Sequence, residues 1–313
     1  MTTAQITNVL SSISDVERET GIPKETLRVW ERRYAFPQPE RDGNGERLYP
    51  ALQVKRLRVV KRLLDLGYRP GKIMHMDTEA LSELANKAGS ASPPPDAEDP
   101  VLRQCLELIK AHKMSELRQR MAQAQLELGL RRFVMEVVAP LTTVVGDAWA
   151  AGQLAVFEEH LFAETLQSVM RNAIFSANQQ IGHAASRPRV MLTTVPQERH
   201  GLGLLMAEAL FVLEGAHCVS LGVQTPLSDI VAAAKVQNTD IVALSFSSVM
   251  SPRAAIENVS ELQTRLGNKV QVWAGGSCAA LARRQLGTQC VLDLFDIGAA
   301  VARWRAQHGA VVG

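Results

Sequence analysis

The residue with the clearest capacity for chemistry is a histidine in the segment VPQERHGLG, where Glu198, His200 and Gly203 have the spacing ExHxxG. A β-branched run at residues 190–195 leads into this segment, which predicts that His200 lies in the loop after a strand. An imidazole nitrogen there is a good ligand for a transition metal such as cobalt, and Gly203 would let a bulky group approach the backbone. Alone, the pattern is weak, because a histidine that caps a helix explains it about as well.

Two later runs end in groups that could line the same edge of a sheet. One ends in LSFSSVM, which supplies the hydroxyls of Ser245 and Ser247, and the next ends in WAGGS, where Gly275 and Gly276 leave space beside the sheet.

Upstream, in GDAWAAGQLAVFEEHLFAETL, a tryptophan is followed after nine residues by a Glu-His pair; these residues are Trp149, Glu159 and His160. Separately, such a tryptophan is more often core and such a pair more often surface. Together with ExHxxG and the glycine pair, they favour a cofactor site.

Positive charge is concentrated at the N-terminus. The whole chain has a formal net charge of +2. Residues 1–72 carry 14 basic and 9 acidic side chains, a net charge of +5, whereas the remainder carries 20 and 23, a net charge of −3. A basic module of this kind is typical of a nucleic-acid-binding domain.

Residues 13–34, ISDVERETGIPKETLRVWERRY, predict two helices joined by a tight turn. Ser14 is expected to cap the first helix with Glu17 completing a capping box, Gly21 to end that helix, and Pro23 to begin the second. The second helix is expected to bury Leu27, Val29 and Trp30 and to present to a DNA groove the side chains of Thr26, Arg28, Arg32 and Arg33.

A β-wing is predicted next, in PERDGNGERLY. Asn44-Gly45 indicates a two-residue hairpin turn, which Arg41 and Arg47 would flank. A basic helix is then expected over residues 54–68.

Residues 13–75 resemble the MerR-type winged helix-turn-helix through TLRVWERRY, then PxR, GxRLY and a downstream LDLGY. Several features in the right order make this resemblance specific, and it implies double-stranded DNA as a partner. One departure is Asn44-Gly45-Glu46, where relatives often have Gly-Gly-His, and it leaves the preferred DNA sequence open.

The elements that would position these residues follow from the pattern of the chain. Proline and small residues predict a linker, apolar residues at helical spacing predict a bundle, and β-branched runs alternating with helical segments predict a parallel sheet. In such a sheet ligands bind at the carboxyl ends of the strands. The predicted domains are a head at 1–86, a linker at 87–100, a helical bundle at 101–186 and a Rossmann-like domain at 187–313. The predicted strands lie at 190–195, 218–223, 241–246, 270–273 and 291–292.

Residues 187–313 are similar to cobalamin-binding domains through ExHxxG, the serine-bearing strand end and the glycine pair. The resemblance implies that His200 replaces the cofactor's own nucleotide base beneath cobalt, and that the nucleotide tail lies between the serine and glycine loops. Ser247 stands where leucine or threonine is usual.

The Trp149, Glu159 and His160 motif resembles the helical cap of the CarH/LitR family of B12-dependent photoreceptor repressors. That resemblance implies adenosylcobalamin, with Trp149 over its upper face and the Glu-His pair near the adenosyl group. It also implies a repressor that forms a dimer or tetramer and responds to light. Ala150 departs from light-dependent relatives that have a histidine after the tryptophan, so capture of cobalt by that residue cannot be carried over.

Composition limits the class of protein. Hydrophobic residues make up 46% and charged residues 21%, as in globular proteins, and neither a secretory signal nor a membrane span is apparent. The four scattered cysteines fit a reducing cytosol; they are Cys105, Cys218, Cys278 and Cys290. A cytoplasmic protein without a membrane partner is therefore expected.

Three alternatives stay open at this point: a regulator controlled by protein partners, a light-insensitive sensor of cobalamin or another tetrapyrrole, and a cobalamin-dependent enzyme. The retained His200 and glycine pair argue against the first. An enzyme is not expected, because the residues outside the sheet domain are too few for a substrate barrel, which takes about 250 residues.

Overall fold

The computed structural model describes residues 10–65, 67–89, 100–150, 153–181, 187–282 and 290–309. The chain divides into two compact units, residues 1–112 with 143–161 and residues 113–142 with 162–313. The predicted multi-domain fold is confirmed: an α-rich winged helix-turn-helix head, a helical bundle and a parallel Rossmann-like sheet. Within the described ranges, every helix is too short or too polar to cross a lipid bilayer.

The first helix of the head, α1 (Ile13–Thr20), begins after a serine cap. Ser12 Oγ accepts a hydrogen bond from the Asp15 backbone N–H at 3.2 Å, and the Asp15 carboxylate completes the capping box. The prediction that Ser14 and Glu17 form this box was therefore wrong. Asp15, at the third position of the helix, takes the capping-box role that was predicted for Glu17.

This capping assignment has a direct test. Ser12→Ala is expected to lower the free energy of unfolding by about 1 kcal/mol, because the first-turn N–H groups lose their acceptor. Ser14→Ala is the matched control and should change it by less than about 0.5 kcal/mol, since Ser14 is exposed within the first turn. Denaturant unfolding of both variants measures the difference. A larger loss for Ser14→Ala would contradict the observed cap.

Helix α2 (Lys24–Tyr34) follows a tight turn at Gly21, which has a φ of 69° and ends α1 as predicted. Leu27 and Trp30 are buried, also as predicted. Val29 is 43% exposed, so its assignment to the buried side was wrong. The physical reason is the helical period of 3.6 residues, which turns position 29 away from position 27.

Three short strands complete the head as an antiparallel sheet with the order β1-β3-β2, so the predicted wing is confirmed. The predicted basic helix starts and ends earlier than expected. The elements are β1 (Leu10–Ser12), β2 (Glu40–Arg41), β3 (Arg47–Pro50), α3 (Ala51–Asp65), α4 (Pro70–Ile73) and α5 (Thr78–Gly89).

The turn of the wing differs from the prediction. The Gly45 N–H donates to the Asp42 carbonyl at 3.0 Å, so the central residues of the turn are Gly43 and Asn44, not Asn44 and Gly45. Gly45 has a φ of 81° and follows the turn as a left-handed residue. The Asp42 carboxylate accepts hydrogen bonds from the backbone N–H groups of Asn44 and Glu46, which stabilises this longer loop.

Helices also extend into the predicted linker. Helix α5 runs to Gly89 and Pro100 opens the next helix, where a proline in the first turn costs no hydrogen bond. Residues 90–99 lie outside the described residues. The predicted helical block is confirmed, with α6 (Pro100–Lys110), α7 (Met114–Arg132), a π-helical segment (Phe133–Val138), α8 (Ala139–Ala150) and α9 (Val156–Ile181).

The sheet domain has five parallel strands in the order β5-β4-β6-β7-β8. The first strand of this sheet, β4, therefore lies between the second and the third. The connection after β4 leads to one side of the β4–β6 pair, and the connection after β6 leads to the other side. A crevice at the carboxyl ends of β4 and β6 is the expected ligand site of such a sheet. The strands are β4 (Arg189–Thr193), β5 (His217–Gly222), β6 (Ile241–Phe246), β7 (Gln271–Gly276) and β8 (Cys290–Leu292). The helices are α10 (Leu202–Leu213), α11 (Leu227–Val236), α12 (Pro252–Leu266), α13 (Ala279–Ala282) and α14 (Ile297–His308).

Candidate functional site

A hydrogen-bonded cluster joins the loops after β4 and β6. One carboxylate oxygen of Glu198 lies 2.6 Å from Nδ1 of His200 and accepts the His200 backbone N–H at 2.9 Å. The other oxygen accepts the backbone N–H and the hydroxyl of Ser247 at 2.8 and 2.7 Å. Glu198 is only 2% exposed, whereas the His200 side chain is 52% exposed. The cluster thus holds an accessible imidazole on a buried, fully bonded carboxylate.

The protonation of this cluster decides which imidazole nitrogen can bind a metal. Burial acts to raise the pKa of Glu198, but the hydrogen bonds from His200 and Ser247 outweigh it and lower that pKa below the usual value. An ionised carboxylate can only accept, so Nδ1 carries the proton that points to Glu198. Nε2 of a neutral His200 then presents its lone pair, the arrangement that a metal-ligating histidine needs.

Glycines at the same edge allow backbones and side chains to meet closely. A Cβ on Gly203 would lie 2.6 Å from Ser245 Oγ, so this glycine admits the serine at the end of β6. Gly276 has a φ of 113°, and a Cβ there would lie 2.2 Å from the Phe246 carbonyl oxygen. Ser245 and Phe246 pair with Gly275 and Gly276 in the sheet register. The absence of a side chain at Gly276 therefore lets the ends of β6 and β7 approach each other closely.

Thr194 is a site residue that the sequence reasoning missed. It is fully buried, its hydroxyl donates to the Glu198 carbonyl, and it accepts the Gln224 N–H at 2.8 Å. The loop that carries Glu198 and His200 is thereby tied to the loop after β5. The position of this polar residue, directly after an apolar strand, could have identified it as a site residue from the sequence.

The helical motif lies in the other compact unit. Glu159 and His160 contact each other, with Oε2 and Nδ1 2.7 Å apart, and the His160 side chain is 70% exposed. The Trp149 ring lies under the Arg58 guanidinium, 5.4 Å from the ring centroid. The side chain of Ala150 lies outside the described part of the structure.

The exposed face of α2 carries most of the predicted DNA-contacting residues. Arg28, Arg32 and Arg33 are exposed and Thr26 is partly exposed. Val29 lies among them, and an apolar side chain on such a face can contact a thymine methyl group. Arg28 has a weak contact with Glu25 at 3.9 Å, and the Arg33 guanidinium lies over Tyr34.

The two wing arginines have partners within the head. Arg47 Nε donates to Glu31 of α2 at 2.9 Å, and this bond raises the pKa of Arg47. Arg41 donates to the Gly45 carbonyl at 2.8 Å, which braces the turn of the wing. Arg47 therefore fixes the wing to the helix that would enter a groove, a role that its position in the sequence did not reveal.

Three protein families match successive parts of the chain. Residues 11–79 match the family described as MerR HTH family regulatory protein. Residues 188–300 match one B12 binding domain family and residues 101–173 match a second. The matches cover the head, the sheet domain and the helices between them.

Two curated relatives match over most of the chain. The HTH-type transcriptional repressor CarH of Myxococcus xanthus is 29% identical over 83% of this chain and 86% of its own length. The HTH-type transcriptional repressor CarA of the same organism is 28% identical over 77% of each chain. Both relatives are transcriptional regulators and not enzymes, in agreement with the prediction.

A solved structure shares its fold with about two thirds of the chain. The monomethylamine corrinoid protein of Methanosarcina barkeri superposes with a TM-score of 0.53 at 14% identity, over 66% of this chain and all of that one. With the family matches, this likeness confirms the Rossmann-like fold. The chain therefore combines a region that matches MerR HTH family regulatory proteins with two regions that match B12 binding domains, and over most of its length it is similar to the repressors CarH and CarA.

Proposed function

We propose that this protein is a repressor whose binding to double-stranded DNA is controlled by adenosylcobalamin and light through a change of oligomeric state. The observation that carries the proposal is the Glu198, His200 and Ser247 cluster at the carboxyl ends of β4 and β6. A buried carboxylate that accepts a hydrogen bond from one imidazole nitrogen is the arrangement that commonly orients a metal-binding histidine. We also propose that the protein is cytoplasmic and forms a dimer or a tetramer.

The lower side of the cofactor would be held by the chain's own residues in defined roles. His200 would supply Nε2 to cobalt, Glu198 would fix the tautomer and the ring orientation, and Ser247 would hold Glu198 in place. Gly275 and Gly276 would leave room for the nucleotide tail beside the sheet. When bound, the cofactor would supply a cobalt–carbon bond that visible light can cleave.

The upper side would be covered from the helical motif. The flat indole of Trp149 would exclude water from the upper face, with Glu159 and His160 beside the adenosyl group. Ala150 has no nitrogen to offer cobalt, so we expect no bis-histidine adduct formed through position 150 after illumination. His160 would be the first residue to mutate if such a spectrum appeared.

Size-exclusion chromatography tests the light response. The adenosylcobalamin-loaded protein, kept dark, is expected to elute as an oligomer, and exposure to green light to change its elution, its spectrum and its DNA affinity. Trp149→Ala should reduce assembly in the dark, because the upper face loses its cover. Identical elution and DNA affinity in both conditions would leave a light-insensitive cobalamin sensor as the better account.

DNA binding by the head has its own test. Affinity for the operator is expected to fall steeply with salt, and Arg28→Ala should weaken it by about 10-fold. Arg47→Ala should weaken it further by releasing the wing from Glu31. Arg303→Ala, an exposed arginine on α14, is the matched control and should leave affinity unchanged. Unaltered specific retention of DNA after deletion of residues 1–80 would contradict the assignment.

A further inference from the structure

Two arginines of α3 hold the end of helix α8. The Arg58 guanidinium lies over the ring of Trp149, 5.4 Å from its centroid. One turn further along α3, Arg62 forms an ion pair with Asp147 at 2.7 Å. All four residues belong to the same compact unit. The basic helix of the head is therefore docked on the segment that carries the tryptophan.

Both arginines are largely removed from solvent by this docking. Their side chains are 12% and 16% exposed, and Arg58 also forms an ion pair with Glu19 of α1. The positive charge of Arg58 and Arg62 counts toward the basic excess of the head, yet their nearest partners here are acidic or aromatic groups. The Arg58 and Arg62 guanidinium groups are therefore engaged in contacts within the protein and not with DNA phosphates.

The contact between Arg58 and Trp149 leaves two polar groups buried without partners among the described residues. The indole N–H of Trp149 and Nε of Arg58 are buried without a hydrogen-bond partner in the part of the chain that the structure describes. A buried donor without an acceptor lowers the stability of a contact. The contact between Arg58 and Trp149 is therefore one whose stability can change when its surroundings change. Trp149 itself is only partly buried, which leaves part of the indole accessible.

We propose that Arg58 and Arg62 are positioning residues for Trp149, and that head docking and adenosylcobalamin binding reinforce each other through the end of α8. This inference rests on the proposed role of Trp149 as the cover of the cofactor. Docking of the head and contact of Trp149 with the cofactor would each order the end of α8, so each would lower the entropic cost of the other. Linkage then requires the coupling to be reciprocal.

Cofactor affinity provides the first test, measured spectroscopically with adenosylcobalamin in the dark. Arg62→Gln and Asp147→Asn are each expected to raise the dissociation constant by about 3- to 10-fold, although both residues are outside the cofactor site. The exchange of charges, Arg62→Asp with Asp147→Arg, should restore most of the affinity. Lys55→Gln on the same helix is the matched control and should have no effect. Arg58→Gln is informative only beside these variants, because it also leaves Glu19 unpaired.

A cross-link provides the second test, and it does not depend on affinity. In the Arg62→Lys variant, a zero-length carbodiimide is expected to join the new amine to the Asp147 carboxylate, and mass spectrometry measures the yield. The yield should rise several-fold when adenosylcobalamin is added in the dark, and Asp147→Asn should abolish this product.

The outcomes separate the two proposals. Suppose that the wild-type protein binds adenosylcobalamin, and that Arg62→Gln and Asp147→Asn bind it equally well or more tightly. This result would overturn the inference and leave the proposed function standing. A cross-link yield that falls on cofactor binding would overturn it as well, because docking and cofactor would then compete. Failure of the wild-type protein to bind any cobalamin would overturn both the proposed function and the coupling. The cross-link would still measure whether α3 docks on α8 in that case.

Discussion

Replacement of His200 by alanine is expected to abolish tight cobalamin binding while the protein stays folded. The imidazole is the candidate cobalt ligand. Loss of a residue that only hydrogen-bonds to a metal ligand commonly costs about 10- to 100-fold in metal affinity, so we expect loss of the ligand itself to cost more than about 100-fold. The fold should persist because the His200 side chain is 52% exposed and contributes little to the core. Equilibrium titration with adenosylcobalamin in the dark, followed by its absorption spectrum, measures the change.

A graded series makes this result specific. Glu198→Gln keeps the shape of the side chain but removes the charge that orients the ring, so it should cost roughly 10- to 100-fold. His308→Ala removes a histidine that stacks on Trp304 in α14 and serves as the control for loss of an imidazole. Unchanged affinity and an unchanged cobalt spectrum in His200→Ala would rule out the ligand role.

Gly276→Ala is expected to be the most destabilising glycine substitution in the sheet domain. The new Cβ would lie 2.2 Å from the Phe246 carbonyl oxygen, at a φ of 113° that side chains rarely adopt. That carbonyl also accepts the Ser277 N–H at 2.9 Å, so the clash would part the ends of β6 and β7. Strain and overpacking together predict a loss on the order of 3 kcal/mol in the free energy of unfolding.

Denaturant unfolding and a cobalamin titration check this prediction together. Cofactor affinity should fall too, because Phe246 directly precedes Ser247, which holds Glu198. Gly146→Ala is the control, since a Cβ within helix α8 meets open space and should be neutral or stabilising by up to about 1 kcal/mol. Equal stability of Gly276→Ala and wild type would show that β6 and β7 do not approach as closely as observed.

Local chemistry explains why much of the fold was predictable. The turn at Gly21, the helical spacing of Leu27 and Trp30 and the alternation of β-branched runs with helical segments involve neighbours in the chain, so sequence periodicity reports them. Errors arose where two local solutions compete. Ser12 and Ser14 are both able to cap α1.

The sequence by itself determined the order of the domains, the loop that carries His200 and the charge of the head, because each depends on residue types close together in the chain. Only the tertiary structure decided which partners those residues have. Ser247 is 49 residues from Glu198, and the two meet because β4 and β6 are neighbours in the sheet. Arg62 meets Asp147 for a similar reason, since packing of α3 against the end of α8 is set by the folded unit and leaves no periodic mark in the sequence.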